Sequence, residues 1–290
     1  MRLLVYPLIA LLSACASHTG VPPQADAIDL PETDYQLIRS VRYSPDDWPE
    51  NLSADIYRPK GKGPFPAVLV VHGGGWEGRT PADMEGISER LASSGFVAVN
   101  IGYRFAPQYH FPAQLHDLQQ AMHWIKRNAE SYGIDDNRVS ALGYSAGAHL
   151  VSLLGLVAGT DNKLDQPHGG AATKPVAVVA GGTPSDLRKF TGGTLVPQFL
   201  GGTIDQIPET FAAASPVVHI HDDAPPFFLY HGTTDLLVSV DHATDFYAEL
   251  EQAGIYSELY LLKWRGHLTA FATSGSAIAE AMQFLQRVTP

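Results

Sequence analysis

A serine flanked by glycines stands in the middle of the chain, in the pattern Gly-Tyr-Ser-Ala-Gly at residues 143–147. The pattern follows the short apolar run 139–142, typical of a strand, and opens the mostly apolar stretch 146–157, typical of a helix. A tight strand-to-helix turn strains the backbone, and neighbours without side chains let it close. We therefore predict that Ser145 is a nucleophile at the amino end of a helix. The alternative is a glycine-rich turn that happens to contain a serine.

A serine needs a general base beside it, and the base needs an acid to orient it. Downstream of Ser145, the apolar run 227–230 leads into Asp235, and the run 257–262 leads into His267. Side chains that follow parallel strands meet at one edge of a sheet, so Asp235 and His267 are predicted to join Ser145 there. Taken singly, each also fits a plainer role, Asp235 in a turn and His267 in a surface loop.

Three consecutive glycines form a second candidate element, in the pattern His-Gly-Gly-Gly-Trp at residues 72–76, directly after the apolar run 67–71. Glycines leave backbone N–H groups uncovered, which an oxyanion hole requires. We expect the donors to be the N–H groups of Gly74, Gly75 and Ala146. A flexible loop is the plainer alternative. A phosphate-binding loop is excluded because no Gly-Lys-Ser/Thr follows.

The rest of the chain alternates between predicted strands and helices. Continuous apolar runs such as 67–71 and 96–101 are typical of strands that are covered on both faces. An antiparallel hairpin is expected at one sheet edge, and the clearest helix is 112–132, which Gly133 ends. This pattern predicts an α/β fold with a mainly parallel, doubly wound sheet, helices on both faces and a site at the carboxyl ends of the strands. The hairpin strands are 35–43 and 52–57; the other predicted strands are 139–142, 176–180, 227–230 and 257–262, and the other helices 83–94, 146–157, 241–253 and 276–288.

The amino-terminal residues predict export. The apolar run 3–14 is too short to span a bilayer and has the form of a signal peptide. We expect residues 1–14 to be that signal, residues 15–33 to be a flexible tether and residues 34–290 to be one domain.

The signal ends in Leu-Ser-Ala-Cys, which resembles the bacterial lipobox, and Cys15 is the only cysteine of the chain. The resemblance implies that Cys15 carries lipid and that the protein is extracytoplasmic. Because Ala16 follows the cysteine, it further implies the outer membrane, facing the periplasm or the surface. An ordinary signal peptide with a chance cysteine is the alternative.

The composition of this 290-residue chain limits the classes of binding partner that we expect. Nineteen basic residues against thirty acidic ones give a formal charge of −11, which argues against non-specific binding to nucleic acid or anionic lipid. Membrane contact is therefore expected only through the lipid anchor. The histidines are scattered singly and no window has zinc-ligand spacing, so we expect neither a metal nor an organic cofactor.

These motifs, with Tyr-Arg-Phe-Ala-Pro at residues 103–107, resemble the esterase/lipase branch of the α/β-hydrolases from about residue 50 to the end. The glycine patterns are most similar to bifunctional feruloyl and acetylxylan esterases; hormone-sensitive-lipase-like enzymes usually carry Asp at the position of Tyr144. The resemblance implies the α/β-hydrolase fold and a serine carboxylesterase acting on short acyl esters, including acetyl or feruloyl esters of carbohydrates. Trp76 and Tyr144 are the candidate substrate-binding residues, although Trp76 fits a core tryptophan equally well.

Two other functions stay open on the sequence. Kynurenine formamidases are also similar, although they tend to carry tyrosine at the position of Gly75, so an arylformamidase or amidase on the same scaffold is one alternative. A lipoprotein that binds a glycan or a protein partner without catalysis is the other. Outside the motifs, Arg104 and Asp117 are candidates for an ion pair beneath the site, against the alternative of surface charge.

Overall fold

The computed structural model describes residues 15–22 and 26–289. Across these residues the chain forms a nine-stranded sheet with the order β1-β9-β8-β7-β6-β4-β5-β3-β2. The six strands from β4 to β9 pair in parallel, and antiparallel strands close both edges, β1 beside β9 and the β2–β3 hairpin beside β5. In chain order the strands are β1 Ala16–Thr19, β2 Tyr35–Arg42, β3 Ser53–Pro59, β4 Phe65–Val71, β5 Val97–Ile101, β6 Ile134–Tyr144, β7 Val178–Gly181, β8 Phe227–Gly232 and β9 Ser257–Leu262.

Helices cover both faces of this sheet. Alternate residues of β4 point into two separate layers. Leu69 and Val71 belong to the layer that contains the helices at 113–127, 146–157 and 241–252, whereas Val68 and Val70 belong to the layer with the helices at 85–93 and 275–288. Burial on both faces explains the unbroken apolar run of this strand. The predicted fold class, a mainly parallel, doubly wound sheet with helices on both faces, is confirmed. The helices are α1 Glu85–Ser93, α2 Ala113–Arg127, α3 Ala129–Tyr132, α4 Ala146–Val157, α5 Leu195–Leu200, α6 Pro208–Ala213, α7 Asp241–Gln252, α8 His267–Ala272 and α9 Gly275–Val288.

The single helix expected over 112–132 is wrong, because the helix is interrupted at Asn128 and continues as α3. The Asn128 side chain donates to the carbonyl oxygen of Trp124 at 2.8 Å. An asparagine that hydrogen-bonds nearby backbone competes with the helical ladder. Gly133 then ends α3 in the left-handed conformation, with φ of 63°. Helices α5, α6 and α8 lie outside every predicted helix.

The flexible tether expected over residues 15–33 is wrong for its first part, because Ala16–Thr19 is strand β1, paired antiparallel with β9. The pairing covers the backbone groups that β9 would otherwise expose at the sheet edge. Further along, the amide side chain of Gln283 in α9 bonds both the N–H and the carbonyl of Ile28. The chain therefore runs along the domain in both places. The predicted signal peptide, residues 1–14, lies outside the described residues.

The Glu258 side chain provides a contact that holds the short strand β1 on the sheet. This carboxylate is fully buried in β9 and lies 2.8 Å from His18 Nε2 and 2.7 Å from Arg287 Nη2. A buried carboxylate requires such partners to offset its desolvation. His18 is thus the side chain that fixes β1 on the sheet. Among the described residues, no helix is long and apolar enough to cross a membrane.

Candidate active site

Ser145 occupies a strained turn between β6 and α4. Its φ is 53°, a left-handed value that a residue with a side chain seldom adopts. A Cβ at Gly143 would approach the carbonyl carbon of Gly147 to 2.4 Å, and a Cβ at Gly147 would approach the carbonyl oxygen of Val71 to 2.2 Å. Both contacts are impossible, so the turn closes only with glycine on each side of the Tyr-Ser-Ala step. The Ser145 N–H donates to the Gly181 carbonyl at 2.7 Å and holds the turn on β7.

The predicted base and acid lie beside this serine. His267 Nε2 is 2.8 Å from Ser145 Oγ, and His267 Nδ1 is 2.6 Å from Asp235 Oδ2. His267 begins α8 directly after β9, and Asp235 follows β8, so adjacent parallel strands deliver both side chains to one sheet edge. Asp241 is not part of this arrangement: it begins α7 and pairs with Lys189 at 2.8 Å.

The Asp235 carboxylate is fixed on both oxygens. Oδ1 accepts the backbone N–H groups of Leu237 and Val238, each at 2.9 Å, while Oδ2 faces the two histidines 231 and 267. Burial acts to raise the pKa of Asp235, but hydrogen bonds from the histidines and a backbone N–H outweigh it and hold the pKa below its ordinary range. Asp235 is therefore a carboxylate throughout the range in which histidine titrates.

His231 is a site residue that the sequence reasoning did not single out. It is completely buried at the end of β8. Its Nε2 lies 2.8 Å from the carbonyl oxygen of Val238 and 3.3 Å from Asp235 Oδ2. Since both partners are acceptors, Nε2 carries a proton, and His231 donates toward the same carboxylate oxygen that His267 contacts. Its place four residues before Asp235, in the last part of an apolar strand, was the available signal.

The glycine loop after β4 approaches the serine closely. A Cβ on Gly73 would lie 3.2 Å from the Cβ of Ser145, and Gly74 and Gly75 have φ values of 107° and 60°. In the described part of the chain, the N–H groups of Gly74 and Gly75 have no acceptor. The N–H of Ala146, in the first turn of α4, belongs to the group that a helix leaves unpaired. These are the predicted oxyanion donors.

His72 and Tyr103 hold the start of this loop. The Tyr103 hydroxyl donates to the carbonyl oxygens of His72 and Gly73, at 3.1 and 3.2 Å, and the two rings of His72 and Tyr103 stack with centroids 4.6 Å apart. Burial lowers the pKa of His72. This residue is therefore a neutral, packed histidine that supports the loop.

The predicted ion pair of Arg104 and Asp117 is buried, which excludes the surface alternative. The Asp117 carboxylate accepts from Arg104 Nε at 2.8 Å and from the Arg104 backbone N–H at 2.8 Å, and it also accepts from Trp48 Nε1. Two residues on, the Ala106 N–H donates to the Trp76 carbonyl at 2.9 Å. The pair thus anchors the segment that supports the end of the glycine loop.

Two cavities flank Ser145. The larger, of about 190 Å³, also touches Gly75 and has mainly apolar walls. The smaller, of about 80 Å³, adjoins His267 and contains the charged side chains of Arg79 and Asp83. The apolar walls of the larger cavity are Trp76, Phe190, Leu195, Val196, Leu237 and Val238.

The two candidate substrate-binding residues, Trp76 and Tyr144, are engaged in contacts within the protein. Trp76 touches the larger cavity but is only 3% exposed; its ring stacks on Phe199 at 4.4 Å, and its N–H faces His149 Nδ1 at 3.3 Å. Its face is therefore not open for a sugar ring, and the core alternative describes it. Tyr144 is buried beside the smaller cavity, and its hydroxyl donates to the His267 carbonyl at 2.6 Å, so it positions the histidine.

Removal of the buried acid should cost much stability. Asp117→Ala leaves the Arg104 guanidinium, 7% exposed, without its anion, and we expect the free energy of unfolding to fall by about 3–5 kcal/mol. The matched control is Asp223→Ala, which breaks a pair with Lys174 in which the carboxylate is 88% exposed; here we expect a much smaller loss. Urea unfolding followed by circular dichroism measures both, and equal losses would contradict the assignment of Asp117 as an anchor.

Comparison with known proteins relates this geometry to a family. The BD-FAE family model matches residues 54–250. Esterase LipC of Mycobacterium tuberculosis is 32% identical over 80% of this chain, which spans 60% of the length of LipC. A truncated form of a carbohydrate esterase from gut microbiota superposes with a TM-score of 0.77 at 22% sequence identity. The superposition covers 90% of this chain and 99% of the esterase chain. The apo form of esterase 2 of Thermogutta terrifontis superposes with a TM-score of 0.72 at 24% sequence identity. The superposition covers 90% of this chain and 96% of the esterase chain. These structures share the α/β-hydrolase fold with this chain.

Proposed function

This chain belongs to the BD-FAE family, and we propose that it is a serine carboxylesterase that hydrolyses short acyl esters. The observation that carries the proposal is the hydrogen-bonded series Ser145–His267–Asp235, with distances of 2.8 and 2.6 Å, beside unpaired N–H groups of the glycine loop. A nucleophile, a base, an orienting acid and oxyanion donors are the parts that acyl transfer needs.

Hydrolysis on this geometry takes two steps. His267 Nε2 accepts the Ser145 proton as Oγ attacks the ester carbonyl, and the N–H groups of the loop and of Ala146 bind the oxyanion. Each donor contributes roughly 3–4 kcal/mol to the transition state. His267 then protonates the leaving alcohol, and a water molecule repeats the sequence on the acyl-enzyme. Asp235, whose pKa lies below its ordinary range, stays charged and stabilises the imidazolium formed in each step.

The larger cavity supports a preference for short acyl groups. At about 190 Å³ it is smaller than the roughly 300–1,000 Å³ of drug-sized pockets. Leu195 limits it at Gly75, where a Cβ on the glycine would meet the leucine side chain at 3.1 Å. The alcohol is proposed to be a sugar, which rests on the similarity to feruloyl and acetylxylan esterases and on the name of the carbohydrate esterase neighbour.

The first test removes the nucleophile. Ser145→Ala should lower kcat for p-nitrophenyl acetate by a factor on the order of 10⁴–10⁶ and abolish labelling by a fluorophosphonate probe, with an unchanged circular dichroism spectrum. Residual turnover near that of the wild type would refute the proposal. Preference for N-formylkynurenine or an anilide over the ester would favour the amidase alternative, and an unlabelled wild type would favour a binding protein.

A second test concerns the acid, with a neighbouring carboxylate as its control. Asp235→Asn removes the charge that stabilises the His267 imidazolium, and we expect kcat to fall by about 10⁴-fold. Asp241→Asn, at the start of α7, should leave kcat within about twofold, because this carboxylate pairs with Lys189 at the surface. Steady-state kinetics on p-nitrophenyl acetate compare the two; a greater loss in Asp241→Asn reverses the assignment.

A third test measures acyl length. Across p-nitrophenyl esters from acetate to palmitate, kcat/KM should be highest for the shortest chains, because the cavity beside Ser145 is small. Leu195→Ala should move the optimum to longer chains by opening the cavity, while Leu164→Ala, outside its walls, should not. An optimum at eight carbons or longer in the wild type would contradict the proposal. Release of acetate from acetylated xylan tests the sugar half separately.

We also propose that Cys15, which is exposed, carries lipid and holds the protein at the outer membrane. The support is the lipobox-like Leu-Ser-Ala-Cys sequence. Cys15→Ala should move the protein from the membrane fraction to the soluble periplasmic extract of a bacterial host, because a single acyl chain already anchors only weakly and no chain would remain. Mass spectrometry of the wild type should find acyl chains on Cys15; an unmodified cysteine, or cleavage at another bond, would disprove this.

A further inference from the structure

Four large apolar side chains are exposed around the mouth of the site. Leu236 is 98% exposed, Leu237 54%, Trp264 78% and Leu268 67%, and we call them the rim patch. Single exposed apolar residues are ordinary, but a contiguous group marks an interaction surface. We therefore expect a binding partner or a surface to cover the rim patch.

Hydrogen bonds join two of the segments that carry the rim patch. The loop after β8 carries Leu236 and Leu237, and the loop after β9 carries Trp264. The Trp264 N–H donates to Thr233 Oγ1 at 2.9 Å, and the Thr234 N–H donates to the Arg265 carbonyl at 3.0 Å. Both loops extend from the carboxyl ends of adjacent parallel strands, at the edge of the sheet where the serine lies.

The patch also brackets the cavities. Leu237 is in the wall of the larger cavity, and Leu268, next to His267, is in the wall of the smaller one. Whatever covers the rim patch therefore faces the mouth of the site.

The backbone at Trp264 is strained, and the side chain is held in solvent. Its φ is 61°, which for a bulky side chain is an outlier that stores strain. The conformation keeps most of the indole in solvent, although burial of this ring would favour folding. Tryptophan is the side chain that membrane interfaces favour, since its ring is apolar and its N–H remains near water.

Cys15 lies at the same edge as this tryptophan. Because β1 runs antiparallel to β9, Ala16 pairs with Leu262, and the Cys15 carbonyl accepts the N–H of Lys263 at 2.9 Å. Lys263 is the residue before Trp264. A lipid on Cys15 would thus leave the domain beside the rim patch, with no spacer between the two.

The charges around the patch suit a lipid surface, despite the formal charge of −11 for the whole chain. The residues on either side of Trp264 are Lys263 and Arg265, both cationic and partly exposed. Near Leu236, Lys189 lies 2.8 Å from the carboxylate of Asp241 and 2.6 Å from that of Asp245, so one negative charge remains there and the cationic side of the patch is the one at Trp264. Cations beside apolar side chains interact favourably with the phosphate level of a bilayer.

We propose that the rim patch docks on a phospholipid bilayer, so that the mouth of the site opens toward the membrane. Trp264 and Leu236 enter the boundary between headgroups and acyl chains, and the lysine and arginine beside Trp264 contact phosphate. The orientation agrees with the lipid attachment proposed for Cys15, but docking depends on the patch itself.

The test separates the patch from the anchor. A Cys15→Ala form of residues 15–290, which contains the whole described fold, is mixed with vesicles of phosphatidylethanolamine and phosphatidylglycerol and sedimented. We expect it to bind and its tryptophan emission to shift to the blue, since Trp264 is the most exposed tryptophan, whereas Trp48 is half-buried and Trp76 and Trp124 are buried. Leu236→Gln with Trp264→Gln should lower the partition coefficient at least about tenfold. Val218→Gln, an equally conservative change at an apolar residue 42% exposed, is the control and should not.

Activity distinguishes this proposal from the proposed function. Neither Leu236 nor Trp264 is in the wall of either cavity, so the double variant should hydrolyse soluble p-nitrophenyl acetate like the parent protein. In the lipidated full chain, brominated phospholipids should quench the wild type more than Trp264→Phe. Docking is refuted if the Cys15→Ala form does not sediment with vesicles or if the double variant binds as well as its parent. Dimers in light scattering without vesicle binding would assign the patch to a second copy.

Discussion

The close approach of α4 to the end of β4 is the constraint on which the site depends. With no side chain at Gly147, the helix packs against the carbonyl oxygens of Val71 and His72, at distances that any Cβ would forbid. This one contact brings the turn that carries Ser145 against the loop that carries the proposed oxyanion donors. The distance between the proposed nucleophile and the proposed donors is therefore set by close backbone packing.

Hydrogen bonds and a buried ion pair from neighbouring residues hold this arrangement in place. Tyr103 bonds the carbonyl oxygens of the glycine loop from below, and the buried pair of Arg104 and Asp117 fixes the segment that contains Tyr103. On the other side, Tyr144 bonds the His267 carbonyl and His231 donates toward Asp235. Each of the proposed reacting groups thus has a second residue that contacts it or its segment, as preorganised catalysis would require.

Much of this was predictable because it is local in sequence. An unbroken apolar run marks each central strand, and the chemistry-bearing residues follow those runs directly, so the fold class and the family resemblance could be predicted and are confirmed. Helix α4 begins and ends where its apolar stretch does. The parts that were wrong, or that the sequence left open, depend on distant partners. Trp76 is covered by Phe199, 123 positions further along, and β1 is held by Glu258, 240 positions from His18. Neither partner leaves any trace in the local pattern.

The direction of β1 has a consequence for how the whole domain is presented. In its antiparallel pairing with β9, the strand begins at the carboxyl edge of the sheet and runs away from it. A parallel strand in the same place would begin at the opposite edge, and any anchor on Cys15 would then point the site away from the membrane. In this direction His18 reaches the buried carboxylate of Glu258, with Nε2 2.8 Å from Oε2. If Cys15 carries lipid as proposed, this antiparallel pairing places the anchor at the same edge of the sheet as the proposed active site.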